Sequence, residues 1–201
     1  MLEVRSVAAF RGDHLVFSEL SFRLEPGGAV VLIGRNGSGK TTLLRLIAGL
    51  MPRAAGDVLW AGEEALADLP SHGERLAYLG HQDALKLGLT AAENLALWAR
   101  VPRDGRASAI EAALAAVGLE DLAHLPARML SAGQRRRVAI ARLLVSDAVL
   151  WLLDEPTTAL DTASVARLGG LAAAHRAAGG MIVAATHLDL PLPGAVEFSL
   201  S

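Results

Sequence analysis

The stretch GAVVLIGRNGSGKTT, residues 28–42, decides the fold. GAVVLIG (28–34) is a continuous apolar run ending in glycine, the pattern of a parallel strand buried on both faces. Leu43 and Ile47 open a helical spacing that Leu50 continues, with Gly49 and Pro52 as its stop. Between strand and helix, GRNGSGKTT (34–42) matches G-x-x-x-x-G-K-[ST] in the context that motif requires. Gly34, Gly37 and Gly39 let the backbone curl so that successive N–H groups, across Arg35, Asn36, Ser38 and Thr42, face phosphate oxygens. The helix adds its positive end. Lys40 supplies a mobile charge for β- and γ-phosphates, and the Thr41 hydroxyl suits Mg²⁺. This segment is expected to bind a nucleoside triphosphate.

Two further apolar runs, AVLWLLDE (148–155) and MIVAAT (181–186), read as buried parallel strands. The first ends in Asp154, placing a carboxylate near the Mg²⁺ expected at Thr41. Glu155 follows, where a carboxylate could orient or deprotonate an attacking water. Ile110, Leu114 and Val117 keep helical spacing before Gly118, a C′ residue, and Ala163 to Ala178 reads as another helix. Strand and helix in alternation imply an α/β domain with a mainly parallel sheet. LEVRSV and LVFSELSFRLEPGG instead read as short strands joined by turns, forming an antiparallel β layer beside it. Residues about 88–145 read as a helical subdomain, with VPRDGRAS (101–108) its loop-like interior, inserted into a core of about 1–87 and 146–201. The whole, 1–201, is one domain.

Composition narrows the partners. The chain has 201 residues and a net charge of −2, without the basic excess of a nucleic-acid binder. No cysteine is present, which removes disulfides, thiolate metal sites and a CxxCH haem attachment, and fits a reducing compartment. Mean hydropathy is high, +0.38. Yet the most apolar stretch, Val138 to Leu153, contains Arg142 and Asp147, so nothing approaches the roughly 20 apolar residues of a span. MLEVRSVAAFRGDHL lacks the features of a secretion signal.

Kinases, GTPases, helicases and transport motors share the phosphate loop and its acidic strand. MLSAGQRRRVAIARLLV (129–145) separates them. Arg135, Arg136 and Arg137 stand at a helix start, where positive charge opposes the macrodipole, so an arriving anion is expected there, while the arginines themselves need not touch it and some are expected on a solvated face or against neighbouring segments. LSAGQRRRVAIARLL resembles the signature motif of the ATP-binding-cassette family, usually written LSGGQ. Gln82 in YLGHQD resembles the family's Q-loop glutamine, TTALD (157–161) the D-loop ending at Asp161, and His187 in AATHLDL the switch histidine. GDVLWAG (56–62) and LTAAENL (89–95) have counterparts too. Taken singly, Gln82 would be a loop amide, His187 a strand-end histidine and Asp161 a helix-start acid. Order and spacing together carry the resemblance across nearly the whole chain.

The resemblance implies a P-loop NTPase fold of the cassette type and hydrolysis of ATP with Mg²⁺. Two copies would meet head to tail, each ATP lying between one copy's phosphate loop and its partner's Ser131, Ala132, Gly133 and Gln134. Glu155, His187 and Gln82 would act in hydrolysis, Gln82 also toward Mg²⁺ with Thr41 and Asp154. Phe10 is the candidate for stacking on adenine. Ala132 departs from the usual glycine and is tolerable only if φ there is negative. His81, Ala132 and Trp151 bring the chain nearest to the haem-exporter branch of the family, which serves bacterial cytochrome c maturation. That branch implies transmembrane partner subunits and a peripheral place on the cytoplasmic face of the inner membrane. Another small exporter's ATPase and, further off, a soluble cassette ATPase acting on nucleic acid are the alternatives.

Overall fold

Nine strands and six α-helices build the computed structural model, which describes residues 1–100, 102–187 and 190–200. In chain order, β1 (Leu2–Arg11), β2 (His14–Leu24) and β3 (Ala29–Ile33) precede α1 (Lys40–Ile47). β4 (Ala55–Trp60), β5 (Glu63–Glu64), α2 (Leu69–Arg75) and β6 (Leu76–Leu79) follow. Next come α3 (Ala91–Ala96), α4 (Arg103–Ala116), α5 (Ala132–Val145), β7 (Leu150–Asp154), α6 (Thr162–Ala177), β8 (Met181–Ala185) and β9 (Val196–Ser199).

Five strands form a parallel sheet in the order β6-β7-β8-β3-β9. Its register levels Leu32, Ala185 and Asp154, so the chain leaves β3, β8 and β7 at the same edge. That carboxyl-end edge is where ligands bind in open α/β sheets. The three apolar runs are buried on both faces because each face has its own core. Leu150, Leu152, Val183 and Leu32 point to the side holding α1 and the antiparallel layer. Trp151, Leu153, Ile182 and Ala184 point to the side holding α3, α4, α5 and α6. The helical segment between β6 and β7 therefore shares its core with the sheet.

The antiparallel layer has the order β2-β1-β4-β5. Its first two strands are longer than the short pieces expected, because Gly12 at φ 61 closes them into one extended hairpin. Two other expectations are corrected. Helix α1 ends at Ile47, and Gly49 turns the chain at φ 71, so Leu50 lies outside the helix and is 64% exposed. VPRDGRAS is helical from residue 103, with Pro102 as the N-cap of α4, a place where its missing N–H costs nothing. Val101 of that stretch lies outside the described residues, as do Leu188 and Asp189 after the switch histidine.

Candidate active site

Positive φ at Gly34 (152°), Gly37 (87°) and Gly39 (98°) wraps residues 34–39 over the start of α1. A Cβ on Gly39 would lie 2.5 Å from Val16 Cγ1 and 3.0 Å from Phe17 Cδ1, so the β1–β2 hairpin packs directly on the loop. Helix α1 has no side-chain cap and no acid in its first turn. Lys40, buried, donates from Nζ to Gly34 O (2.7 Å) and Arg35 O (3.1 Å), which holds the ammonium at the loop's rim. The buried Ser38 hydroxyl oxygen has no hydrogen-bond partner among the described residues.

Thr41 and Asp154, 113 residues apart, meet: the Thr41 hydroxyl donates to Asp154 Oδ1 at 3.0 Å. Tyr78 on β6 donates to Asp154 Oδ2 at 3.3 Å. Burial, and next the Asp154 charge, push the Tyr78 phenol above its ordinary value, so it stays a proton donor to the carboxylate. Two adjacent oxygens of this kind suit Mg²⁺, which uses one or two carboxylates plus phosphate and water oxygens. Gln82, expected as a third ligand and catalytic group, is instead exposed on the segment after β6 and makes no side-chain hydrogen bond among the described residues.

Glu155 is the strained residue of the site. Its φ of 48° is left-handed, a conformation that costs a non-glycine residue about 1–3 kcal/mol. The turn brings Glu155 Oε2 to 2.8 Å from His187 Nδ1 and 3.3 Å from His187 N, at the end of the neighbouring strand β8. His187 is 57% exposed, so its imidazole faces solvent beyond the carboxylate. A cleft of about 570 Å³ joins these parts, lined by Asn36, Gly37, Gly39, Lys40, Thr41, Thr42, Asp154 and Glu155. Arg11, Arg45, Leu50 and Met51 line it as well, none of them expected. Phe10 is 49% exposed at the end of β1 beside Arg11 and is not part of this lining.

The signature residues do not line this cleft either. Ser131 is the N-cap of α5: Gln134 N donates to Ser131 Oγ (3.2 Å) and Ser131 N to Gln134 Oε1 (2.8 Å), a complete capping box. Ala132 is the first helical residue, without positive φ, so its methyl group meets no backbone objection. At Gly133 a Cβ would come within 2.9 Å of Ala159 O, which explains the glycine there. Asp161 caps α6 by accepting from Ser164 N (2.8 Å), and bonding to Ser164 holds its carboxyl below the usual range.

The arginine run contacts neighbouring segments, the alternative expected for it. Arg135 donates to Leu130 O, Arg137 to Val117 O and Gly118 O. Arg136 is only 3% exposed and spends its guanidinium on Gly80 O, Asp83, Asp154 O, Glu155 O and Pro156 O. The carbonyls these arginines find are local partial charges that offset their positive charge at the helix start.

Residues 17–158 match the family model described as ABC transporter. The cytochrome c biogenesis ATP-binding export protein CcmA of Rhodospirillum rubrum is 53% identical over 94% of this chain and 81% of its own length. The protein of that name from Mesorhizobium japonicum is 55% identical over 92% of this chain and 90% of its own. Among solved structures, an ATP-binding subunit of an ABC transporter superposes with a TM-score of 0.86 at 26% identity, covering 94% of this chain and 80% of that one.

Proposed function

Because the chain belongs to the ABC transporter family and is an ATP-binding, ATP-hydrolysing subunit, we propose that it drives the export complex of bacterial cytochrome c biogenesis, the role its relatives' names carry. One observation supports the site assignment above the rest: the ends of β3 and β7 at one sheet edge bring Thr41, Asp154 and Glu155 onto a single cleft, and His187 at the end of β8 pairs with Glu155 from beside it.

ATP enters with its phosphates over residues 34–42. The bare amides of α1 receive phosphate oxygens. Lys40 exchanges two neutral carbonyls for charged oxygens, a stronger hydrogen bond. Thr41 and Asp154 hold Mg²⁺, which when bound neutralises charge on the phosphates. Glu155 accepts the proton of the attacking water, and His187 keeps the carboxylate aimed. Ser131, Ala132, Gly133 and Gln134 lie outside their own chain's cleft, so they act on the nucleotide of a second copy arranged head to tail. Each copy then completes the other's site, and ATP stabilises the pair by binding the closed form alone. Phe10, beside the cleft, packs on adenine. Hydrolysis removes the γ-phosphate, and the population returns to the open form.

ABC ATPase subunits work with transmembrane subunits, and no helix among the described residues is long and apolar enough to cross a membrane. The export role its relatives' names carry places the proposed site of action peripherally on the cytoplasmic face of the inner membrane, with membrane partners that handle haem.

A strain lacking this gene, complemented with wild type or Glu155→Gln, tests both levels. The variant should lower the ATPase rate of the purified protein about 10²–10⁴-fold and accumulate ATP-bound dimers. It should also leave c-type cytochromes absent from a covalent-haem stain. Normal cytochromes in the null strain would refute the export role, and an unchanged ATPase rate would refute the base.

A further inference from the structure

A guanidinium has five N–H donors in a fixed planar fork, and burying it is costly unless they are satisfied. Arg136 places all five. Nε donates to Pro156 O (3.2 Å), Nη2 to Asp154 O (3.1 Å) and Glu155 O (2.6 Å), and Nη1 to Gly80 O (2.8 Å) and Asp83 Oδ1 (3.2 Å). Three of the acceptors are consecutive carbonyls. An extended strand points successive carbonyls to opposite sides, so their convergence needs a sharp turn, and the turn is the left-handed Glu155. The same turn directs the Glu155 carboxylate to His187.

Arg136 stands five residues along α5 from its N-cap Ser131, within one rigid helix. Its other two acceptors, Gly80 O and Asp83, flank Gln82. A single side chain thus joins the signature helix, the segment around Gln82 and the turn that carries the base.

We propose that Arg136 is a positioning residue for hydrolysis: it holds Glu155 in its left-handed turn and ties that turn to the helix whose start meets the second copy's nucleotide. The inference rests on Glu155 as the residue that activates water. Lysine cannot substitute, because its ammonium is a point donor and cannot span carbonyls on three sides.

The test uses the full chain with ATP and Mg²⁺, comparing Arg136→Lys, Glu155→Gln and the double variant in steady-state and single-turnover hydrolysis, with ATP affinity by equilibrium titration. Arg136→Lys should lower kcat about a hundredfold, the cost of a misplaced catalytic group, while KM and ATP affinity stay within about threefold. In the Glu155→Gln background the same change should slow hydrolysis no further than about twofold, since the object being positioned is already gone. A KM that rises in step with the loss of kcat, or two effects that multiply, would overturn the proposal. So would Arg136→Lys at the wild-type rate beside an inactive Glu155→Gln. If instead Glu155→Gln keeps the wild-type rate, the assignment of the base itself falls and takes this inference with it. Should Arg136→Lys lack a cooperative melt, Asp83→Asn decides: it weakens one of five acceptors and should lower kcat about three- to tenfold at unchanged KM. An unchanged kcat there refutes the role.

Discussion

Helices α1 and α5 both begin beside a proposed phosphate position, yet they begin differently. Helix α1 starts from Gly39 in the left-handed region, with no side-chain cap and no first-turn acid. Helix α5 starts from Ser131 and Gln134 locked in a capping box. The first four N–H groups of any helix lack internal partners. At α1 they are left for a ligand, whereas at α5 the capping box already serves two of them, Ser131 N and Gln134 N. Under the proposed head-to-tail pairing, a bare start marks the place where this chain binds its own nucleotide, and a capped start marks a surface that is stable alone before it meets another copy. The C-terminal end of α1 completes the contrast, because His72 Nε2 donates to Ile47 O at 2.7 Å from full burial. The helix is pinned where it does not touch phosphate.

The largest effect should come from spoiling the bare start. Gly39→Ala puts a methyl group 2.5 Å from Val16 Cγ1 at a φ of 98°, so loop and hairpin must separate. Strain alone costs about 1–2 kcal/mol. More important, the amides turn away from the phosphates. ATP affinity, followed by equilibrium titration, should fall well over tenfold, about 1.4 kcal/mol or more. Wild-type affinity would break the comparison, since the bare start would then not be the binding element.

A smaller effect should follow at the capped start. Ser131→Ala removes an N-cap worth about 1 kcal/mol, which for a chain of this size lowers Tm by about 2–4 °C without nucleotide. Ser131→Asp keeps an acceptor for Gln134 N and should restore Tm, yet its charge opposes phosphate and hydrolysis should stay impaired. Restored hydrolysis with restored Tm would reduce Ser131 to a structural cap. That outcome would erase the functional half of the contrast.

Much of this is legible in the sequence. Runs such as AVLWLLDE are unbroken because β7 is covered on both faces, and that coverage is also what makes the parallel sheet and its ligand edge readable. Gly118 was identifiable as a helix stop, and it adopts φ 68. The errors share a cause: spacing records which side chains are apolar but not where the backbone turns. Leu50 continues the α1 stripe numerically, although Gly49 ends the helix. Pro102 and Gly105 look like loop residues, but near a helix start both are tolerated. Arg136 falls on the buried stripe with Ile140 and Leu143, a cation among apolar positions, which is a signal for a built partner. Its partners stayed hidden because four of the five are carbonyls, which every residue has. Gln82 follows from order and motif, but its exposure on the segment after β6 depends on loop geometry that no motif encodes.

The smallest predicted effect concerns the pinned end of α1. Burial, the largest influence, lowers the His72 pKa, and Arg75 lowers it further, while the bond to Ile47 O and the Glu64 charge act the other way. In the unfolded chain an imidazole titrates near 6.5. Above that value both states are neutral and His72 contributes no pH dependence. Below it the unfolded chain takes up a proton that the folded protein refuses, so stability falls with pH until the depressed folded value is reached. His175, also depressed chiefly by burial where it stacks on Trp151, adds to the same slope. Thermal melts of wild type and His72→Gln at pH 5.5, 6.5 and 7.5 separate the two. Glutamine can still donate to Ile47 O and does not titrate, so its Tm should fall less between pH 6.5 and 5.5, by about 1–2 °C. Parallel slopes would mean that His72 is already charged or open to water in the fold, and the far end of α1 would then be no better held than its start.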